Sequence, residues 1–253
     1  MKPPSQIAAH IRRVLKDGGS APHSEEVQWF FKEEIASRGW YTQDLRRVAA
    51  RFRRQLIAEA GLDYLVAVAD QLFQGKILEE KVFAVFLLEK STASFGDKEF
   101  RLFESWLGRI STWADHDGLL HYLIGPLILA DPKRAARVFR WARSSNRWHR
   151  RAAAVALIRS ARERKLFPEI VRLSDFLLED QDDMVQKGLG WLLRETAKAD
   201  PRRSMPYLKR ICGRAPRLVV RNACETLPKA DRDRILKRPP MRTSGKRQPK
   251  IPA

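Results

Sequence analysis

Few side chains in this sequence are spaced for chemistry, and most of them fall in one short segment. Ser111-Thr112-Trp113-Ala114-Asp115-His116-Asp117 sets an aromatic ring in polar surroundings. A helix starting near Ser111 puts Trp113 and Asp117 on one face, four residues apart. A fixed carboxylate beside an aromatic ring suits a reaction that builds positive charge. The carboxylate stabilises the developing cation electrostatically, and the ring face adds about 0.5–2 kcal/mol of cation–π attraction. The spacing favours Asp117, with Asp115 as a second carboxylate in reserve. His116 has the chemistry of a base but reads as a solvent-facing helix residue. A second ring, Trp191, lies in Gln186-Lys187-Gly188-Leu189-Gly190-Trp191-Leu192-Leu193-Arg194-Glu195. Each interior helix glycine costs roughly 1 kcal/mol against alanine. Two of them there predict the close approach of another backbone or of a ligand.

Other chemistries lack their residues. No Gly-rich phosphate loop, HExxH or GxSxG is present, which argues against kinases and conventional hydrolases. Cys212 and Cys224 are too few for a disulfide framework, and no CxxC or Cys/His cluster suggests zinc. The reading is therefore of a reduced, cytoplasmic protein with no metal and no cofactor. No lysine stands out as a nucleophile.

The charge points to a partner. Against 30 Asp and Glu stand 49 Lys and Arg, a net charge of +19. That much like charge repels itself, so an anionic partner is expected, nucleic acid ahead of a membrane surface. The excess is concentrated: between Asp131 and Lys165 there are twelve Lys and Arg, with Asp131 and Glu163 the acids. Arg140, Arg143, Arg147, Arg150 and Arg151 recur at three- and four-residue steps, with a loop expected near Ser144–Asn146. Like charges at that spacing destabilise a helix, so a face tracking a phosphate backbone explains them better than a solvated surface.

The elements that must position these residues are helices. Apolar residues recur at helical spacing almost throughout, as in Leu166, Phe167, Ile170, Val171, Leu173, Phe176 and Leu177. Breakers at Gly61, Gly125-Pro126, Asp131-Pro132, Pro168, Asp200-Pro201 and elsewhere cut the chain into short helices. Asp131-Pro132 and Asp200-Pro201 look like N-caps followed by proline at the first helical position. The apolar run Leu119–Ala130 is too short to span a bilayer and contains Gly125-Pro126, so it reads as a buried, broken helix. No signal peptide is expected from the first residues, and the chain reads as having no membrane association. In the second half Trp148, Met184 and Leu218 are each followed three positions later by a basic residue: Arg151, Lys187 and Arg221. These lie 36 and 34 residues apart. One antiparallel helix pair per period is the signature of an α-solenoid of HEAT-like repeats. The expected fold is all-α, a single solenoid domain over residues 1–236 with a concave basic face along which Arg151, Lys187 and Arg221 form a ladder. Lys237–Ala253, with six basic residues, four prolines and no acid, reads as a disordered basic tail.

The blocks together resemble the AlkD-like family of DNA alkylation repair glycosylases, which are HEAT-repeat proteins. Gln186–Glu195 is similar to the family's QKAxGWxLRE signature and follows an Arg pair, Arg150-Arg151, at the expected distance. Trp113-x-x-x-Asp117 resembles its W-D-x-V-D segment, and Phe30-Phe31-Lys32 with Gly39-Trp40-Tyr41-Thr42 resembles its Y-M-K…G-I-x-T stretch. Order and spacing agree over most of residues 20 to 235. The resemblance implies a monofunctional glycosylase, acting as a monomer, that hydrolyses the N-glycosidic bond of cationic N3- and N7-alkylated purines in duplex DNA without flipping the base. It gives Trp113 and Trp191 contact with the deoxyribose and backbone. Asp117 takes the stabilising carboxylate and the orientation of water, Arg150 or Arg151 a phosphate, and Phe30 a place at the DNA. Thr112, Ala114 and Phe30 depart from the family pattern, and Asp115 adds an acid. Those departures keep open a non-catalytic HEAT-repeat protein that recognises damaged or branched DNA by shape, and behind it a protein-interaction scaffold.

Overall fold

The computed structural model describes residues 2–237, so residues 238–253 of the expected basic tail lie outside it. All regular structure among the described residues is helical. The chain divides into two compact units between Leu123 and Ile124.

The first unit holds α1 (Pro4–Asp17), α2 (Ala21–Gln28), α3 (Thr42–Phe73), α4 (Leu78–Leu88), α5 (Asp97–Trp106) and α6 (Trp113–Leu119). Its breakers act where the sequence puts them. Gly61 takes φ 81°, a left-handed conformation that side chains rarely adopt, and kinks α3 there. Against α3 pack α1 and α4, and α6 packs on α4. Phe73, Phe83, Phe103 and Trp106 are fully buried, with Phe73 stacked on Trp106 at 4.2 Å between ring centres. Side chains of this kind each contribute roughly 1.5–3 kcal/mol on burial, which makes them the main cohesion of the unit. One departure from an apolar interior stands at the start of α4, where Glu79, Glu80 and Lys81 are all buried.

The apolar run Leu119–Ala130 is broken as its glycine and proline predict. Leu120–Ile124 is wound as a π-helix, and α7 (Gly125–Ala130) follows. The second unit continues with α8 (Ala136–Trp141), α9 (Arg147–Val155), α10 (Ile158–Arg162) and α11 (Phe167–Leu177). Its remaining helices are α12 (Asp183–Ala199), α13 (Pro201–Ile211), α14 (Arg217–Ala223) and α15 (Lys229–Leu236). Both expected proline-led caps form: Asp131 accepts from the Lys133 N–H at 3.1 Å, and Asp200 from the Arg203 N–H at 3.1 Å. The repeat is realised as α9, α12 and α14, with α12 packed against both of the others. Asn146 and Asp182 cap the first two through the Trp148 and Met184 N–H groups, at 2.8 and 2.9 Å. This is the solenoid stacking that the repeat period predicts. Among the described residues no helix is long and apolar enough to cross a membrane.

Candidate active site

Thr112 starts α6, as the polar segment around Trp113 predicts. Its backbone N–H and hydroxyl both donate to Asp115, each at 2.7 Å, while its hydroxyl oxygen faces the Asp115 N–H at 3.4 Å. This reciprocal arrangement is a capping box. The same Asp115 carboxylate accepts the Ser111 N–H at 3.0 Å and pairs with the buried Lys81 ammonium at 3.0 Å. Asp115 is buried and its oxygens are engaged in building the helix start. The two neighbouring acids thus separate by environment. Asp117 keeps its side chain 21% exposed, with one oxygen 2.7 Å from His116 Nδ1.

His116 corrects the sequence reading: it is 0% exposed, not solvent-facing. On α6 it shares a face with Leu119 and Leu120, three and four positions on, and both are buried. Its ring therefore goes inward and meets Asp117 from the protein side.

Trp113 is half-buried and stacks on Phe31, with ring centres 4.9 Å apart and an interplanar angle of 16°. Phe31 was not singled out by the sequence, which pointed to its neighbour Phe30. The signal was limited to the Phe30-Phe31-Lys32 block, and no spacing rule links it to Trp113. Phe30 itself is 75% exposed and Trp29 is 90% exposed, whereas Trp106, Trp141 and Trp148 pack in the interior. Gln28 holds the aromatic turn in shape. Its amide donates to the Glu33 carbonyl at 2.9 Å and accepts the Ile35 N–H at 3.0 Å.

In the second unit, Trp191 is partly exposed on α12. The close approach predicted by Gly188 and Gly190 is that of neighbouring helices. A Cβ on Gly188 would lie 3.1 Å from Arg151 Cγ of α9, and one on Gly190 only 2.6 Å from Asn222 Cβ of α14. Arg151 is 5% exposed and donates to the Met184 carbonyl at 2.7 Å, so it ties α9 to the first turn of α12. Arg150 pairs with Asp180 at 2.6 Å and donates to the Ser144 and Ser145 carbonyls. Lys187 is partly exposed beside Asp183, at 3.0 Å, and Arg221 is exposed on α14. The loop expected near Ser144–Asn146 separates α8 from α9.

Burial, with Cys212 adding to it, pushes the Cys224 thiol up to about 11, so it stays protonated at neutral pH and serves packing. Among the described residues no group of three or more His, Cys, Asp or Glu is placed to hold a metal ion.

A solved structure of a predicted DNA alkylation repair enzyme from Enterococcus faecalis is similar in fold, with a TM-score of 0.74 at 16% identity. The match covers 83% of this chain and 97% of that one. No curated protein matches the sequence. The family described as DNA alkylation repair enzyme matches residues 11–227. That span takes in both units and every candidate residue above, and the chain belongs to the DNA alkylation repair enzyme family.

Proposed function

We propose that this member of the family is a monofunctional DNA glycosylase, working as a monomer in the cytoplasm on cationic N3- and N7-alkylated purines in duplex DNA. The alkylated base already carries the charge that makes it a leaving group, so no general acid is required. The bond between C1′ and the purine nitrogen breaks, and its electron pair leaves with the base. The sugar becomes oxocarbenium-like, and water adds at C1′ with loss of a proton. Asp117 stabilises that sugar cation and orients the water. Trp113, held by Phe31, lies against the deoxyribose, and the base is not flipped into a pocket. In the second unit Trp191 takes the sugar–phosphate backbone. Arg150, Lys187 and Arg221 take phosphates, and of the Arg pair Arg150 is preferred because Arg151 is buried between helices. Phe30 presents its ring to the DNA.

The observation that carries this reading is the division of labour between the two acids of α6. Asp115 is consumed in the cap and the Lys81 pair, while Asp117, four positions after Trp113 along α6, stays partly exposed. The test is release of free 7-methylguanine and 3-methyladenine from methylated duplex DNA. Asp117→Asn is expected to lower single-turnover excision by at least about a hundredfold, the scale of a lost electrostatic stabiliser, with DNA affinity retained. Absence of release by folded wild type, with binding that weakens steeply with salt, would establish the non-catalytic DNA binder instead.

A further inference from the structure

Three consecutive charged residues open α4 inside the first unit, and each reaches a different segment. Buried charges are tolerated only when paired and hydrogen-bonded, so their partners show what they hold in place. The Glu79 carboxylate accepts from the Ser37 hydroxyl at 2.7 Å and from the Arg38 and Gly39 N–H groups at 2.8 and 2.9 Å. Next to it, the Leu78 N–H donates to the Ala36 carbonyl at 2.9 Å. Glu80 pairs with Arg12 of α1 at 2.9 Å. Lys81 donates to the Arg109 carbonyl, the Ser111 hydroxyl and, at 3.0 Å, the Asp115 carboxylate.

The segments reached by Glu79 and Lys81 are those that deliver the two stacked rings. Residues 36–40 continue from the turn bearing Phe31, and residues 109–115 run directly into Trp113. A cavity of about 230 Å³, lined by Ile35, Leu78, Lys81, Thr112 and Asp115 among others, lies between them. There the bonds from Glu79 and Lys81 tie both segments to α4.

We infer that Glu79 and Lys81 are positioning residues, which clamp segments 36–40 and 109–115 to one helix start and so fix the Phe31–Trp113 stack and Asp117 before DNA arrives. The consequence for activity rests on the glycosylase reading above; the geometric claim does not.

The experiment labels the protein with 5-fluorotryptophan and follows it by 19F NMR, the Trp113 signal being assigned with Trp113→Phe. In Lys81→Met the Trp113 resonance is expected to shift and broaden while those of Trp141 and Trp148 stay in place. Single-turnover excision should fall on the order of tenfold or more, as misplacement by about an ångström does, with the DNA Kd changed less than about twofold. Glu79→Gln should move the same resonance less, because it acts through Phe31. If Lys81→Met does not fold, Ser111→Ala at an exposed position removes one of the three acceptors and should move the Trp113 signal in the same direction. An unmoved Trp113 resonance in a folded variant overturns the inference, as does a moved resonance with wild-type excision. Wild type that releases no base defeats the glycosylase reading alone, and the resonance still decides the clamp.

Discussion

Trp113 and Trp191 are held by different means. In the first unit, the start of α6 is fixed by polar groups taken out of water: Lys81, the Asp115 carboxylate and the Thr112 cap. In the second, α12 is fixed by close helix contact beside the one tie of Arg151 to the Met184 carbonyl. Gly190 lets Asn222 of α14 approach closer than any side chain would permit, and Gly188 leaves room for Arg151 of α9 at a distance only a tight Cβ contact would match. Polar fixing is directional and sets the angle of a short helix start, whereas close packing sets the distance between whole helices. Asp117, the carboxylate proposed to face a reacting sugar, sits where direction is controlled. The long helix that presents Trp191 sits where spacing is controlled.

The largest expected effect breaks the polar side of this contrast. Asp115→Ala leaves Lys81 buried without its anion and the Ser111 and Thr112 N–H groups without an acceptor. Loss of one partner of a buried pair costs about 3–5 kcal/mol, read as a lowered midpoint in urea denaturation. Gly190→Ala attacks the packed side. The new methyl meets Asn222 Cβ and, at 3.2 Å, the Val219 carbonyl, so α14 must move. A cost of about 1–3 kcal/mol is expected in the same assay. Gly188→Ala should cost less, because its nearest neighbours are side-chain atoms of Arg151 and Val155 at 3.1 Å and beyond, with no backbone atom among them.

The smallest effect is a pH dependence of the second unit. Burial pushes the Glu195 carboxyl up, but the bond and charge of Arg162, with Lys198 and Arg194, outweigh it and hold the group below its ordinary value of 4.5. A carboxyl lowered in the folded state adds stability that is fully present above 4.5 and is lost as pH falls through the folded value. Glu195→Gln should therefore lower stability modestly at neutral pH and flatten the acid limb, so that variant and wild type converge as pH falls below the folded value. A limb as steep as wild type would show that acids elsewhere control it.

Much of the architecture is written locally and was legible. Asp131 and Asp200 cap their helices because the cap is a matter of three adjacent residues. The Arg151, Lys187 and Arg221 period located α9, α12 and α14 because each repeat writes its own apolar pattern. Gly188 and Gly190 announced a close approach, although the identity of what approaches came from helices distant in sequence. The preference for Asp117 over Asp115 followed from helical spacing. The engagement of Asp115 by Lys81 was not legible, because no pattern within α6 shows what α4 offers it.

His116 and Phe31 mark the boundary of sequence reading. His116 stands in a run of polar residues and looks exposed, yet the packing of α6 on α4 turns its face inward. Phe31 is an ordinary aromatic until the chain brings it to Trp113. By itself the sequence determined the helical class, the repeat, the caps and the basic excess, since these depend on neighbours a few positions apart. The tertiary structure alone decided which acid is consumed, which ring is stacked and which charges are buried. Those outcomes depend on contacts between segments tens of residues apart, where desolvation and pairing are settled only when the helices pack.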